Sequence, residues 1–228
     1  MKHLLGALAL ACIATTARAQ VAGHLPENSP YSDLETSQEF TFFGGHYTTG
    51  RDPIGIAPRD GPMYGLRYQI HVGGPAFLMA RWSHVNSSRF AIDPTKNGAA
   101  RQLGKHDESV NLYDIDLALN LTGEKSFHHI VPVINFGAGV ASCSCSVTND
   151  PYTFGTPFAF TFGGGLRYVP GGRLQVTVDW NDYLYQIKYP TAYYVIPTGG
   201  TAAATNEARS FWKNNKALTF GASLLFFR

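Results

Sequence analysis

Between Tyr64 and Val72 the even positions are Tyr64, Leu66, Tyr68, Ile70 and Val72, and the odd ones are Gly65, Arg67, Gln69 and His71. A period of two over such a length is a β-strand with one apolar and one polar face. After Gly73-Gly74-Pro75, Ala76, Leu78, Ala80 and Trp82 alternate with Phe77, Met79, Arg81 and Ser83. Further on, Tyr113, Ile115, Leu117, Leu119 and Leu121 oppose Asp114, Asp116, Ala118 and Asn120. Phe158, Phe160, Phe162, Leu166 and Tyr168 oppose Ala159, Thr161, Gly163, Gly165 and Arg167, and Leu174, Val176, Val178 and Trp180 oppose Arg173, Gln175, Thr177, Asp179 and Asn181. Three further segments complete eight strands: Glu39 to Tyr47, His129 to Ala141 and Leu218 to Phe226. A bulge is expected in the first of these, where Phe42-Phe43-Gly44-Gly45 breaks the alternation. An irregularity is expected in the second at Pro132, which has no ladder donor.

The connections sort into short ones near 73–75, 122–127 and 169–172 and long polar ones at 48–62, 84–108, 142–157 and 184–215. Strict alternation of short and long is the pattern of an up-and-down barrel with both termini on the short-turn rim. After residue 20 no apolar run approaches the ~18 residues of a spanning helix, so a membrane could be crossed only by a closed sheet.

The charges decide which face points out. A small soluble barrel packs its bulky apolar side chains inside. In this chain the polar face mixes small residues with Arg67, Arg81, Asp114, Asp116, Arg167, Arg173 and Asp179, while the bulky face carries no charge from the second strand to the eighth. An Arg or Lys at mid-bilayer costs about 2–4 kcal/mol, so the bulky face is expected to meet lipid. The seven inward charges are expected to form an ion-pair network, because eight strands enclose a lumen that side chains nearly fill and buried charges persist when paired. Tyr64, Trp82, Phe158 and Trp180 toward the long-loop rim, with Tyr68, Tyr168 and Phe226 nearer the short-turn rim, form a candidate aromatic girdle. The expected fold is therefore all-β, an eight-stranded antiparallel up-and-down transmembrane β-barrel over residues 37–228.

At the N-terminus, Lys2 and His3 precede an apolar run from Leu4 to Ile13 and an Ala17-Arg18-Ala19 cleavage site. Residues 1–19 read as a signal peptide and 20–36 as a short periplasmic segment. A lipoprotein reading of Cys12 fails because Ala9-Leu10-Ala11 lacks the usual Leu at its first position. The mature chain keeps Cys143 and Cys145, which are either a local disulfide or two free thiols in an oxidising compartment. With no further Cys or His pair to complete a tetrahedral set, they do not make a zinc site.

On these residues the chain resembles the small bacterial outer-membrane barrels typified by outer-membrane proteins A and X, over most of the mature region. Its last strand, with Phe220, Leu224 and Phe226 on one face, resembles the C-terminal assembly signal of that class, although it ends in Arg228 and not in an aromatic residue. The resemblance implies an outer-membrane location, contact with outer-membrane lipid and lipopolysaccharide, and recognition of the last strand by the assembly machinery.

A charged fraction of 15% and a net charge of +2 supply no basic patch, which argues against nucleic acid. Gly137, Gly139, Gly163, Gly164 and Gly165 precede no helix, so they are not a phosphate loop and no cofactor is implied. His128-His129 read as solvated turn residues, and 197–209 reads as a mobile loop by composition. Lipid A deacylases use a barrel-wall Ser and His near the outer rim, and Ser83-His84-Val85-Asn86-Ser87 offers both residue types, but without that family's Ser two places after the His. The expectation is a non-enzymatic integral protein with a structural or surface-interaction role. The alternatives are a narrow channel for small or apolar solutes and a rim-site lipid hydrolase.

Overall fold

In the computed structural model residues 29–34, 37–204 and 209–226 are described, so the signal peptide and most of segment 20–36 lie outside the described residues. Ten strands are numbered in chain order. Eight build the wall: β2 (Gln38–Thr48), β3 (Gly61–Gly73), β4 (Ala76–Ile92), β5 (Gln102–Asn120), β7 (Ile130–Cys143), β8 (Phe158–Tyr168), β9 (Leu174–Lys188) and β10 (Ser210–Phe226). Each pairs antiparallel with its neighbours, and β10 pairs with β2, so the ring closes with no free edge. Two short strands that sequence alternation does not reveal, β1 (Tyr31–Asp33) and β6 (Lys125–Phe127), pair with each other beside the β5–β7 turn. His128 and His129 join β6 to β7 with φ of 48° and 66°. Two consecutive positive φ values are the geometry of a type I′ hairpin turn.

The stagger of the ring follows from its register. Successive ladder partners of Thr41 are Arg67, Arg81, Asp114, Gly139, Ala159, Tyr185 and Lys213, yet Thr41 itself pairs on β10 with Ser223, ten residues further along. Eight strands with that stagger tilt by about 40°. Each ladder step round the ring therefore climbs the barrel by roughly 3 Å, from a strand spacing near 4.8 Å.

The faces lie as the charge argument requires. Phe162, Ile115 and Leu174 are more than 60% exposed on the outside, whereas Arg67, Arg81, Asp114, Asp116, Arg167 and Asp179 are 6% or less exposed inside. A belt of exposed apolar side chains around a polar interior is a bilayer-spanning barrel.

Two expected irregularities are absent. β2 runs in unbroken register with both β3 and β10 through Phe42-Phe43-Gly44-Gly45. Phe42 faces lipid and Phe43 enters the lumen, where its partner Gly65 has no side chain; a β-carbon there would stand 2.5 Å from the Phe43 ring. β7 is likewise regular through Pro132. The Pro132 carbonyl accepts from Leu121 N–H, one step past the last β5 ladder pair, Asn120 with Val133, so the missing donor breaks no ladder bond. The register slips instead at His71/Gly73 and at Ala91/Ile92.

The long connections are shorter than expected, spanning 49–60, 93–101, 144–157 and 189–209. Most of 84–108 is strand, because β4 and β5 continue as a paired hairpin beyond the apolar belt, from Asn86 with Ser109 up to Ala91 with Gly104. Polar and apolar residues are mixed on both faces of that extension, so its sequence carries no alternation.

Candidate functional site: the lumen and its loop-covered mouth

The inward side chains stack in layers. At the short-turn end Phe77, Ala118, Val131 and Val133 pack together with Leu34 and Val169 as an apolar cap. Above it lies an ion-pair belt. Arg67 donates from Nη1 to Asp179 Oδ2 at 2.9 Å and stands 3.6 Å from Glu39. Arg81 donates from Nε to Asp114 Oδ2 at 2.9 Å and from Nη2 to Asp116 Oδ2 at 2.8 Å. Arg167 donates to Gln69 Oε1 at 3.0 Å and lies 3.5 Å from Glu39. Asn135 and Thr161 donate to the remaining lone pairs of Asp116. Cation–π contacts tie the belt to both neighbouring layers: Arg167 lies 5.7 Å from the Phe77 ring centroid below and Arg81 5.4 Å from that of Tyr183 above. The void between belt and cap is about 10 Å³, at most the room of one water.

Six of the seven expected lumen charges join this belt. Arg173 does not: it is exposed in the turn before β9, where its carbonyl accepts from Leu225 N–H at 2.8 Å. Alternation assigns a face only inside a strand, and Arg173 precedes the first residue of β9. Glu39 replaces it as the missed member. Its signal was its odd position in β2, obscured by the Phe42-Phe43 pair.

The upper lumen holds no charge layer of the expected kind. Tyr47, Met63, Val85, Leu112, Tyr183 and Tyr185 fill it, all 2% or less exposed, with Tyr47 and Tyr185 hydroxyls 3.0 Å apart. Ion pairs thus occupy one level of the lumen and an aromatic–aliphatic plug the next.

At the mouth, Arg89 is fully buried between Glu108 (3.0 Å) and Asp150 (2.5 Å), with the Tyr152 ring centroid 4.9 Å away. Tyr193 donates its hydroxyl to Asp150, and burial followed by this hydrogen bond raises its phenol above the ordinary value of 10. Asp150 belongs to the 144–157 loop and Tyr193 to the 189–209 loop, so one arginine of β4 clamps two loops over the barrel. This cluster was missed because its residues fall in stretches that read as loops. Beside it, a cavity of about 780 Å³ lies between loop 49–60 and the ends of β4 and β5, with the buried Lys213 donating to Pro58 O at 3.0 Å.

Cys143 and Cys145 are joined as a disulfide. Glu108 and the two sulfurs lie within 4.8 Å of one another, but the sulfurs are bonded to each other and Glu108 is engaged by Arg89. Ser83 and Ser87 are buried in the lumen face while His84, on the even register, faces outward, so the strand separates the histidine from both. His84 Nδ1 instead lies 2.9 Å from Asn111 Oδ1, which also accepts from Trp82 Nε1 at 3.3 Å. The seven girdle residues all lie on the outward register, but not level. Phe158 lies three ladder steps from Trp82, through Tyr113 and Val140, and so stands about 9 Å higher, whereas Trp180, paired with Gly164 at the centre of β8, lies well below Phe158.

No protein-family model matches the chain, and no curated sequence relative matches it. Among solved structures it is similar to neisserial surface protein A, at 8% identity and a TM-score of 0.54, covering 83% of this chain and 97% of that one. It is also similar to outer membrane protein AlkL, determined in lipid bilayers by solid-state NMR, at 12% identity and a TM-score of 0.51 over 91% and 98%.

Proposed function

We propose that this chain, which has the fold of the small outer-membrane β-barrels, is a non-conducting and non-enzymatic integral protein of the bacterial outer membrane that works through its surface. The observation that carries this reading is the stacked lumen. The belt of Arg67, Arg81 and Arg167 with Glu39, Asp114, Asp116 and Asp179 is hydrogen-bonded across the barrel, and a tyrosine layer covers it. A solute path would have to break pairs whose separation strands buried charge, at about 3–5 kcal/mol for each pair broken. The clamped loops then form a fixed outer surface, and the cavity at the mouth is a recess in it. Outward Phe220, Leu224 and Phe226 on β10 suit recognition by the assembly machinery.

Planar-bilayer recording tests this directly. The purified barrel is expected to give no discrete conductance steps, whereas regular single-channel openings would replace the plug with the channel reading.

A further inference from the structure

We infer that the recess between loop 49–60 and the outer ends of β4 and β5 binds a small amphipathic monoanion, with its carboxylate head at Lys213 and its apolar body against Phe90, Ile54 and Ile92. This inference rests on the orientation proposed above, in which the long loops face out, and it gives the recess at the mouth an occupant.

The recess is preformed. Loop 49–60 is folded onto its own acids: Asp60 Oδ1 accepts from the Thr49 N–H at 2.7 Å and from the Thr49 hydroxyl at 2.8 Å. Asp52 accepts from the N–H groups of Ala57 at 2.6 Å and Ile54 at 3.2 Å, and from the Tyr189 hydroxyl. The loop is also fastened to β4, since Arg59 N–H donates to Ser88 O at 3.0 Å and the Ser87 hydroxyl donates to Arg59 O at 2.6 Å. The facing wall comes from the hairpin extension above the apolar belt, through the ladder pairs Phe90 with Lys105 and Ile92 with Gln102. The enclosed volume of about 780 Å³ is in the range of sites that hold small organic molecules.

Charge selects the occupant. Arg59, Lys105 and Lys213 line the recess together with Asp52 and Asp60. None of these three cations has a carboxylate oxygen within 4.0 Å among the described residues. Lys213 decides the matter. It lies on the lumen register of β10 opposite Tyr185 and is 2% exposed, and its ammonium donates to Pro58 O and makes no other hydrogen bond among the described residues. An ammonium has three donors, and a buried charge without a counter-charge is costly. An anion in the recess supplies both the acceptors and the charge. Arg59 lies 5.3 Å from the Phe90 ring centroid, and its planar guanidinium matches a carboxylate. Three cations against two carboxylates leave a single positive charge, which suits a monoanion and not a phosphate dianion beside Asp52 and Asp60. An inorganic ion would leave Ile54, Phe90 and Ile92 unmatched; an amphipathic one uses both halves of the lining.

The test is isothermal titration calorimetry on the full-length barrel in lipid nanodiscs, with empty nanodiscs as the blank. Three probes share one aromatic body: naphthylacetate, the neutral naphthylacetamide and the dianionic naphthyl phosphate. The wild type is expected to bind one naphthylacetate per barrel, with the amide weaker by about 10-fold or more, the loss of a charge-assisted hydrogen bond, and the phosphate no tighter than the carboxylate. Lys213→Met is expected to lower naphthylacetate to the affinity of the amide while leaving the amide unchanged. Phe90→Ala is expected to weaken both alike. Arg59→Gln, at an exposed position, tests the head independently and is expected to weaken the carboxylate and not the amide. Heat-shifted gel migration identifies which variants have folded. A folded wild type that binds no naphthylacetate, binds the amide equally well or prefers the phosphate would overturn the inference, as would equal naphthylacetate affinity in every folded head variant. None of these outcomes bears on the plug, which conductance alone decides.

Discussion

Arg81→Met measures whether the ion-pair belt is dry. Arg81 makes two charge-assisted hydrogen bonds, at 2.9 and 2.8 Å, and the side chains involved are 3%, 2% and 0% exposed. Removing the guanidinium strands the Asp114 and Asp116 carboxylates in the lumen, and breaking a buried pair in this way costs about 3–5 kcal/mol. The Lys125–Asp33 pair is a built-in reference. It spans 3.5 Å with both side chains more than half exposed, and such a pair contributes at most about 1 kcal/mol. Urea unfolding of the barrel in lipid vesicles, followed by tryptophan emission and by loss of the heat-shifted band, is expected to separate Arg81→Met from Lys125→Met by at least about 2 kcal/mol, the gap between those two ranges. Adding Asp114→Asn and Asp116→Asn to Arg81→Met is expected to recover most of the loss. No net charge then remains to desolvate, and the Asn135 and Thr161 donors still find an oxygen at position 116. If Arg81→Met and Lys125→Met unfold at the same urea concentration, the belt is screened by water and the plug argument fails.

Leu117→Arg, on the outward register at mid-belt, is expected to cost about 2–4 kcal/mol and to impair assembly, while Gln175→Arg, on the inward register, is expected to be milder; equal defects would mean the faces are inverted. Tyr193 has its phenol raised by burial and by its bond to Asp150, so its contribution is fully present below pH 10 and is lost only as pH climbs beyond it. Protection of loop 189–209 from protease is therefore expected to be flat from pH 7 to about 10, the ordinary tyrosine value, and Tyr193→Phe to lower it already at pH 7; a decline centred near pH 8 would contradict the clamp. The Cys143–Cys145 bridge, with a sequence separation of 2, removes little chain entropy from the unfolded state, so on reduction the heat-shifted band is expected to stay unchanged, which gel migration with and without reductant checks.

Alternation reads out which face a residue occupies, and on that count the chain was legible almost throughout: strands, rims and the lipid face all follow from it. It does not read out height. Arg67 and Asp179 are 112 positions apart and meet only because the ring closes with its particular stagger, which no single strand encodes. Alternation also falls silent where polar and apolar residues are mixed on both faces. That is why Arg89 and Glu108 read as loop residues; Arg173 read as a lumen residue because alternation was carried one position past the start of β9.

The same missing coordinate reshapes the aromatic girdle. Trp82, Tyr113, Val140 and Phe158 are consecutive partners in one row. Over three ladder steps that row climbs by about 9 Å. The lower margin does not climb with it, since Val72, Leu121, Ile130, Leu174 and Phe226 all lie beside the short turns or the chain end at the same rim. The apolar wall is consequently taller on β7 and β8 than on β4. On the low side of this sloping margin the polar side chains of His84 and Asn111 stand two residues above Trp82 and Tyr113. A stagger that serves to close the sheet thus also sets where polar side chains reach lipid.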